Sequence, residues 1–165
     1  MRNDFSAMRV VYLPPMTVAV IKNTSASPEF DTLISVDNFI RQNDLINKKP
    51  DFRHFGFSPK MPFDNNVGTY ERWISIPDDI GSSPLYVKRQ FTGGMYAALA
   101  TSLENFDSAA REIRNILNES LYTPVQNEEH IFLEEYLNVW LLVNLGHDKY
   151  YNQAQIDLLV KVKMR

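Results

Sequence analysis

Phe132-Leu133-Glu134-Glu135-Tyr136-Leu137-Asn138 is the stretch around which the rest of the chain organises. It reads as a strand, in which successive side chains point to opposite faces. One face carries Phe132, Glu134, Tyr136 and Asn138; the other carries Ile131, Leu133, Glu135 and Leu137. Each face is mostly apolar or aromatic, yet each holds a carboxylate. Burying a carboxylate is costly unless it is paired, hydrogen-bonded or set against a cation. Glu134, between two aromatics on its own face, is expected to be the polar anchor of a ligand pocket. The competing expectation is an ion pair between Glu134 and a buried cation such as Arg72.

Working outward, the order of elements in each half is the same. Residues 9–22 are rich in β-branched side chains and read as a strand broken at Pro14-Pro15, which cannot sit in a central ladder. Ser27-Pro28-Glu29 has the chemistry of a helix start, and Phe30, Leu33, Ile34, Asp37 and Ile40 recur at helical spacing, predicting a helix to about Leu45. His54-Phe55-Gly56-Phe57 is a strand with a glycine at a close backbone approach; 58–68 is a loop; Tyr70–Ile76 is a strand. The second half gives a strand over Leu85–Phe91, a bend or bulge at Gly93-Gly94 and extended chain over Met95–Ala100. Thr101 and Glu104 have capping-box spacing ahead of a helix marked by Phe106, Ala109, Ala110, Ile113, Ile116 and Leu117. Ile131–Asn138 follows as a strand, Val139–Leu145 continues apolar, and Gly146-His147-Asp148 turns. A last strand covers Ile156–Val162, with Ile156, Leu158, Val160 and Val162 inward and Asp157 and Lys161 outward. The chain therefore predicts an α+β fold: tandem β-α-β-β modules over about 8–77 and 85–163 in a single domain of residues 1–165. Their strands form one antiparallel sheet, with the helices on one face and a ligand groove on the other.

Composition narrows the function. A formal net charge of −3 lacks the concentrated basic surface that direct nucleic-acid binding requires. There is no cysteine, so disulfides, thiol nucleophiles and cysteine metal sites are excluded. Met1–Phe5 contains no apolar core of signal-peptide length, and no stretch approaches a membrane span, so the expected location is the cytoplasm. His54, His130 and His147 share no metal-ligand spacing and read as isolated surface or turn residues; no metal and no cofactor are expected. No nucleophile elbow or phosphate loop is present, and Asp78-Asp79 after Pro77 read as an exposed turn. What remains is aromatic: Tyr70, Trp73, Tyr96, Phe132, Tyr136 and Trp140 beside a strand carboxylate. Ring faces attract cations, and a carboxylate in low dielectric strengthens that attraction.

Four segments in order resemble one family. Tyr70–Asp79, Phe91–Ala98, Leu133–Asn138 and Gln155–Val162 are similar to the GyrI-like small-molecule-binding domain, the effector-binding domain of AraC-type and MerR-type multidrug regulators and of the DNA gyrase inhibitory protein. The resemblance covers roughly residues 8–163. It implies a tandem of two β-α-β-β modules (SHS2 modules) of bacterial origin, with a central groove for hydrophobic, often cationic compounds. It also implies a glutamate in an E-x-Y pattern, matched by Glu134-Glu135-Tyr136. Where the family often carries tryptophan in the second module's helix, this chain has Ile116-Leu117.

With the first strand starting within about ten residues of Met1, no DNA-binding module is expected ahead of it, as in the stand-alone members of that family. The leading expectation is a binding protein for an amphipathic or cationic aromatic small molecule, linked to drug resistance or transcription regulation, with no direct contact to nucleic acid or membrane and any protein partner unknown. Its ligand-binding residues are expected to be Glu134, Tyr136, Trp73, Tyr70, Tyr96, Phe57, Phe132 and Trp140. The resemblance also implies an alternative, hydrolysis of strained cyclopropane-bearing natural products, with Glu134 as general base and Tyr136 or Tyr70 as proton donor. Inhibition of DNA gyrase is a further alternative.

Overall fold

A computed structural model describes residues 7–59, 67–126 and 130–165. The first half contains strands β1 (Arg9–Leu13) and β2 (Met16–Ser25), helices α1 (Pro28–Gln42) and α2 (Leu45–Lys48), and strands β3 (His54–Phe57) and β4 (Gly68–Ser75). The second contains β5 (Val87–Phe91), β6 (Gly94–Ser102), α3 (Phe106–Glu119), β7 (Tyr122–Pro124), β8 (Leu133–Tyr136), α4 (Trp140–Leu145), α5 (His147–Tyr151) and β9 (Gln155–Met164). The strands form one curled antiparallel sheet in the order β1-β6-β9-β8-β3-β4-β2-β5, with β7 added beside β9.

That order is two β-α-β-β modules joined at β8–β3, where Phe55 lies opposite Glu135 and Gly56 opposite Glu134. β1 and β5 are exchanged arms: β1 pairs with β6 of the second module and β5 with β2 of the first. Pro14-Pro15 turns the first arm, because proline cannot donate to a ladder. The matching corner is Gly93 at φ +67° and Gly94 at φ +128°, conformations that L side chains rarely adopt. A Cβ at Gly93 would meet the carbonyl oxygen of Leu13 at 2.1 Å, so the two corners cross in contact.

Both long helices, α1 and α3, lie on one face. Opposed residues in a ladder share a face, and the row Ile21, Arg72, Gly56, Glu134, Leu158 and Leu99 runs across six strands from β2 to β6. At one end of this face α1 covers Ala19, Ile21 and Ile74; at the other, α3 covers Ala97, Leu99, Leu158 and Val160. The opposite, concave face carries Leu13, Val18, Phe55, Phe57, Trp73, Phe91, Tyr96, Leu133 and Leu159, packed against one another inside the curl. The expected groove on that face is therefore corrected. Curling brings Phe91 of β5 to within 6.4 Å (ring centroids) of Tyr96 of β6, and the aromatics fill the space themselves.

Several local expectations also change. The helix expected to reach Leu45 ends at Gln42, because Asp44 takes a left-handed conformation (φ 49°) and restarts the chain as α2. Thr101 belongs to β6, so no capping box forms, and Asn105 occupies the N-cap of α3. The apolar run over Val139–Leu145 is α4, the turn expected at Gly146-His147-Asp148 opens a further helix, α5, both pack over the α1 core, and β7 is a strand where none was expected. Asp157 faces the concave side but is buried, paired with Arg9 at 2.5 Å. Most of the loop read over 58–68 lies outside the described residues.

Candidate functional site

β8 sends its two glutamates to opposite faces, and each finds a different environment. Glu135 accepts a bidentate pair of bonds from Arg53, Nε at 2.6 Å and Nη2 at 2.8 Å, on the concave side. That geometry satisfies a part-buried carboxylate. Glu134 has no such cation. Its Oε2 accepts from Tyr70 Oη at 2.5 Å and from Tyr136 Oη at 3.2 Å.

Gly56 makes the first of these bonds possible. Tyr70 stands on β4, and its ring must cross β3 to reach β8. A Cβ on Gly56 would lie 2.4 Å from Tyr70 Oη, so only glycine leaves the path open. The close approach read from the sequence is thus made by a side chain.

Arg72 sits beneath the two tyrosines, fully buried. Its guanidinium carbon is 4.7 Å from the Tyr70 ring centroid and 4.6 Å from that of Tyr136. Its nitrogens donate to Thr32 Oγ1 at 3.0 Å and to the Glu29 carbonyl at 2.8 Å, and one stands 3.0 Å from His54 Nε2. No carboxylate is among these partners, so the expected Glu134–Arg72 ion pair is replaced by a relay: cation, phenol faces, phenol hydroxyls, carboxylate. His54 accepts from the guanidinium, is stacked on Tyr136 at 4.6 Å, and is held well below its usual pKa by burial and by Arg72. It is a core residue and not the isolated surface histidine expected; His130 is likewise buried, against Phe57 and Trp73.

The electrostatics of Glu134 follow. Burial raises its pKa and the charge of Glu29 adds to that, while the Tyr70 bond and Arg72 pull it down; the balance is about 7. Burial also pushes both Tyr70 and Tyr136 well above the usual phenol value, so their protons stay in place to donate.

Glu134 lines a cavity of about 550 Å³ on the helix face. The N-terminal ends of both long helices contribute to it: Glu29 from α1, and Leu103, Glu104, Phe106 and Asp107 at the start of α3. Ser58, Pro59, Ile131, Phe132 and Tyr151 complete the lining. Its charged side chains are four carboxylates, with no Lys, Arg or His among the described residues. Among the described residues, too, no three His, Asp or Glu side chains converge as a metal site. Tyr151 Oη donates to Glu29 at 3.0 Å, and burial with the Glu29 charge pushes that phenol to about 12.

Of the residues expected to bind a ligand, the structure brings together Glu134, Tyr136, Tyr70 and Phe132. Trp73, Tyr96 and Phe57 lie on the concave face, in the opposite core. Tyr70 and Trp73 are three positions apart in one strand and therefore face opposite ways. Trp140 sits on α4, partly exposed, with its ring against Phe52 at 6.1 Å. Glu29, Phe106 and Tyr151 were not anticipated. Glu29 carried only the signature of a first-turn residue, and Tyr151 lay in a segment with no recognised helix.

The model of one protein family, Cass2, the integron-associated effector-binding proteins, matches residues 9–162. The chain belongs to that family. The family is one of effector-binding proteins, and the GyrI-like character expected from the four segments agrees with it. No curated protein sequence matches the chain. Among solved structures, the fold is similar to the EcmrR C-terminal domain: TM-score 0.64, 11% identity, 96% of this chain and 98% of that one. The same match takes up 57% of the EcmrR chain in its DNA complex. A hydrolase from Listeria innocua aligns at TM-score 0.58 and 8% identity over 94% of this chain and 91% of that one. SAV2435 bound to tetraphenylphosphonium aligns at 0.51 and 14%, over 94% and 93%. At these identities the likeness is one of fold. Among the described residues no helix is long and apolar enough to cross a membrane.

Proposed function

We propose that this Cass2-family protein binds a hydrophobic organic cation in the cavity above β8, with Glu134 as its charge anchor. The observation that carries the reading is the lining: four carboxylates and no cation among the described residues, with aromatic walls from Phe106, Phe132 and Tyr151. Aromatic faces and a desolvated carboxylate both favour a cation. A volume of about 550 Å³ suits a drug-sized molecule. Both tyrosines donate to Oε2 of Glu134, and Oε1 is the oxygen assigned to the guest in this reading. The test is calorimetric titration with tetraphenylphosphonium at pH 8. Glu134→Gln is expected to weaken binding at least tenfold, and equal affinity in the variant would remove Glu134 from the site.

A second reading rests on one observation, a buried carboxylate that accepts from two phenols, with burial pushing its pKa up to about 7. Such a group would accept a proton from water attacking a strained electrophile while Tyr70 or Tyr136 gives its proton to the ring carbon released, and the proton on Glu134 then restores the phenol across their hydrogen bond. Incubation with a cyclopropane-bearing alkylator separates the two: ring-opened product beyond one equivalent, lost in Glu134→Gln, favours the hydrolase; intact compound recovered from a complex favours the binding protein.

A further inference from the structure

Glu134 accounts for one positive centre in a guest, and the cavity holds a second carboxylate that it does not explain. Glu29 is a first-turn residue of α1, where a negative charge suits the helix dipole. Its side chain is nevertheless committed to the cavity. Oε2 accepts from Tyr151 Oη at 3.0 Å, a bond from α5 that fixes the carboxylate in the lining. Its charge is felt at Glu134, where it favours the protonated form, so the two groups share one electrostatic environment. Arg72, the buried cation behind them, meets Glu29 only at its backbone carbonyl, 2.8 Å away, and neutralises neither carboxylate by direct contact. Phe106, Phe132 and Tyr151 complete the shared walls.

A hydrophobic monocation seated against Glu134 would displace water from Glu29 and offer it nothing in return. Desolvating a carboxylate whose one partner is the neutral Tyr151 hydroxyl opposes binding. A guest carrying a second cationic centre removes that opposition and adds an attraction in low dielectric. We propose that the cavity is built for dications, aromatic or alkyl bodies bearing two cationic nitrogen centres, one held by Glu134 and the other by Glu29. The proposal rests on the cation-binding reading above and narrows it to a charge count. Glu104 and Asp107 at the start of α3 are the other two carboxylates and provide the internal control.

Two phenanthridinium dyes of the same ring system test it: ethidium, with one permanent charge, and propidium, with two. Fluorescence titration is run at pH 8, above the value of about 7 for Glu134, and at low salt, where charges are least screened. The wild-type protein is expected to bind propidium about tenfold more tightly than ethidium, equivalent to about 1.4 kcal/mol. Glu29→Gln keeps an acceptor for Tyr151 and is expected to bring the ratio close to one, while Glu134→Gln weakens both dyes. A wild-type ratio near one overturns the dication proposal. So does a ratio that survives Glu29→Gln, or one removed by Glu104→Gln instead. Ethidium binding that depends on Glu134 but shows no preference for propidium refutes the dication alone. Failure of both dyes to bind refutes the cation reading and the proposal with it.

Discussion

Replacing Glu134 by Gln is expected to make the ligand-free protein more stable at pH 8 and no more stable at pH 5. Burial lifts the carboxyl from 4.5 to about 7. The folded state therefore holds this proton more tightly than the unfolded chain does. As pH rises from 4.5 the unfolded chain loses the proton while the folded protein keeps it, and stability falls until the folded group ionises near 7. At about 1.4 kcal/mol per pH unit, the penalty above that window is about 3 kcal/mol. Glutamine never ionises, and its amide oxygen can still accept from Tyr70 Oη. The amide brings one more buried N–H than the neutral acid carries, at a cost of about 1 kcal/mol, leaving a net gain of about 2 kcal/mol at pH 8. For a chain of this size that is roughly 4–8 °C in melting temperature. Thermal unfolding followed by circular dichroism at pH 5 and pH 8 reads the difference directly. Parallel pH profiles for wild type and variant would refute the reasoning, as would a variant less stable than wild type at pH 8. A gain in stability paired with a loss of cation affinity would show that the carboxylate is kept for binding at the expense of the fold.

The remaining predictions use the same network. Cation binding requires ionised Glu134, so tetraphenylphosphonium affinity in the wild type should fall about tenfold per pH unit below 7 and lose that slope in Glu134→Gln; a flat wild-type profile in calorimetry between pH 5.5 and 7 would contradict this. Gly56→Ala places a methyl 2.4 Å from Tyr70 Oη and should break the Tyr70–Glu134 bond, lowering urea stability by about 1–3 kcal/mol and weakening dye binding together. Tyr70→Phe removes the bond that lowers the Glu134 pKa, so the midpoint of the binding pH profile should move upward; a downward shift would count against the assignment. Arg72→Met strands His54, Thr32 and the Glu29 carbonyl without their donor, and should cost about 3–5 kcal/mol by denaturant unfolding.

How much of this was legible in the chain divides along physical lines. Elements with a strong local signal were readable: Pro14-Pro15 as a break, Pro28-Glu29 as a helix start, Gly93-Gly94 as a bend, and the strand holding Glu134. So was the alternation that separates Glu134 from Glu135, because period-two geometry is a property of the strand itself. Short helices α4 and α5 were not, since Trp140–Leu145 and His147–Tyr151 are too brief to show a period and are held by packing on α1.

The site itself was only half determined by sequence. A carboxylate between aromatics in a strand announces a polar group that needs a reason, and Gly56 announces a close approach. Neither says which face of the sheet the helices cover, nor that the curl fills the other face with Trp73, Tyr96 and Phe57. Tertiary structure decided those points, because they depend on strands far apart in sequence becoming neighbours: β8 beside β3, and β4 one strand further. Only that order lets Tyr70 reach over Gly56 to Glu134, stacks Arg72 between two phenols, and brings Glu29 from α1 to the same cavity. The chain carries the charged groups; their coupling exists only where the fold removes water from between them.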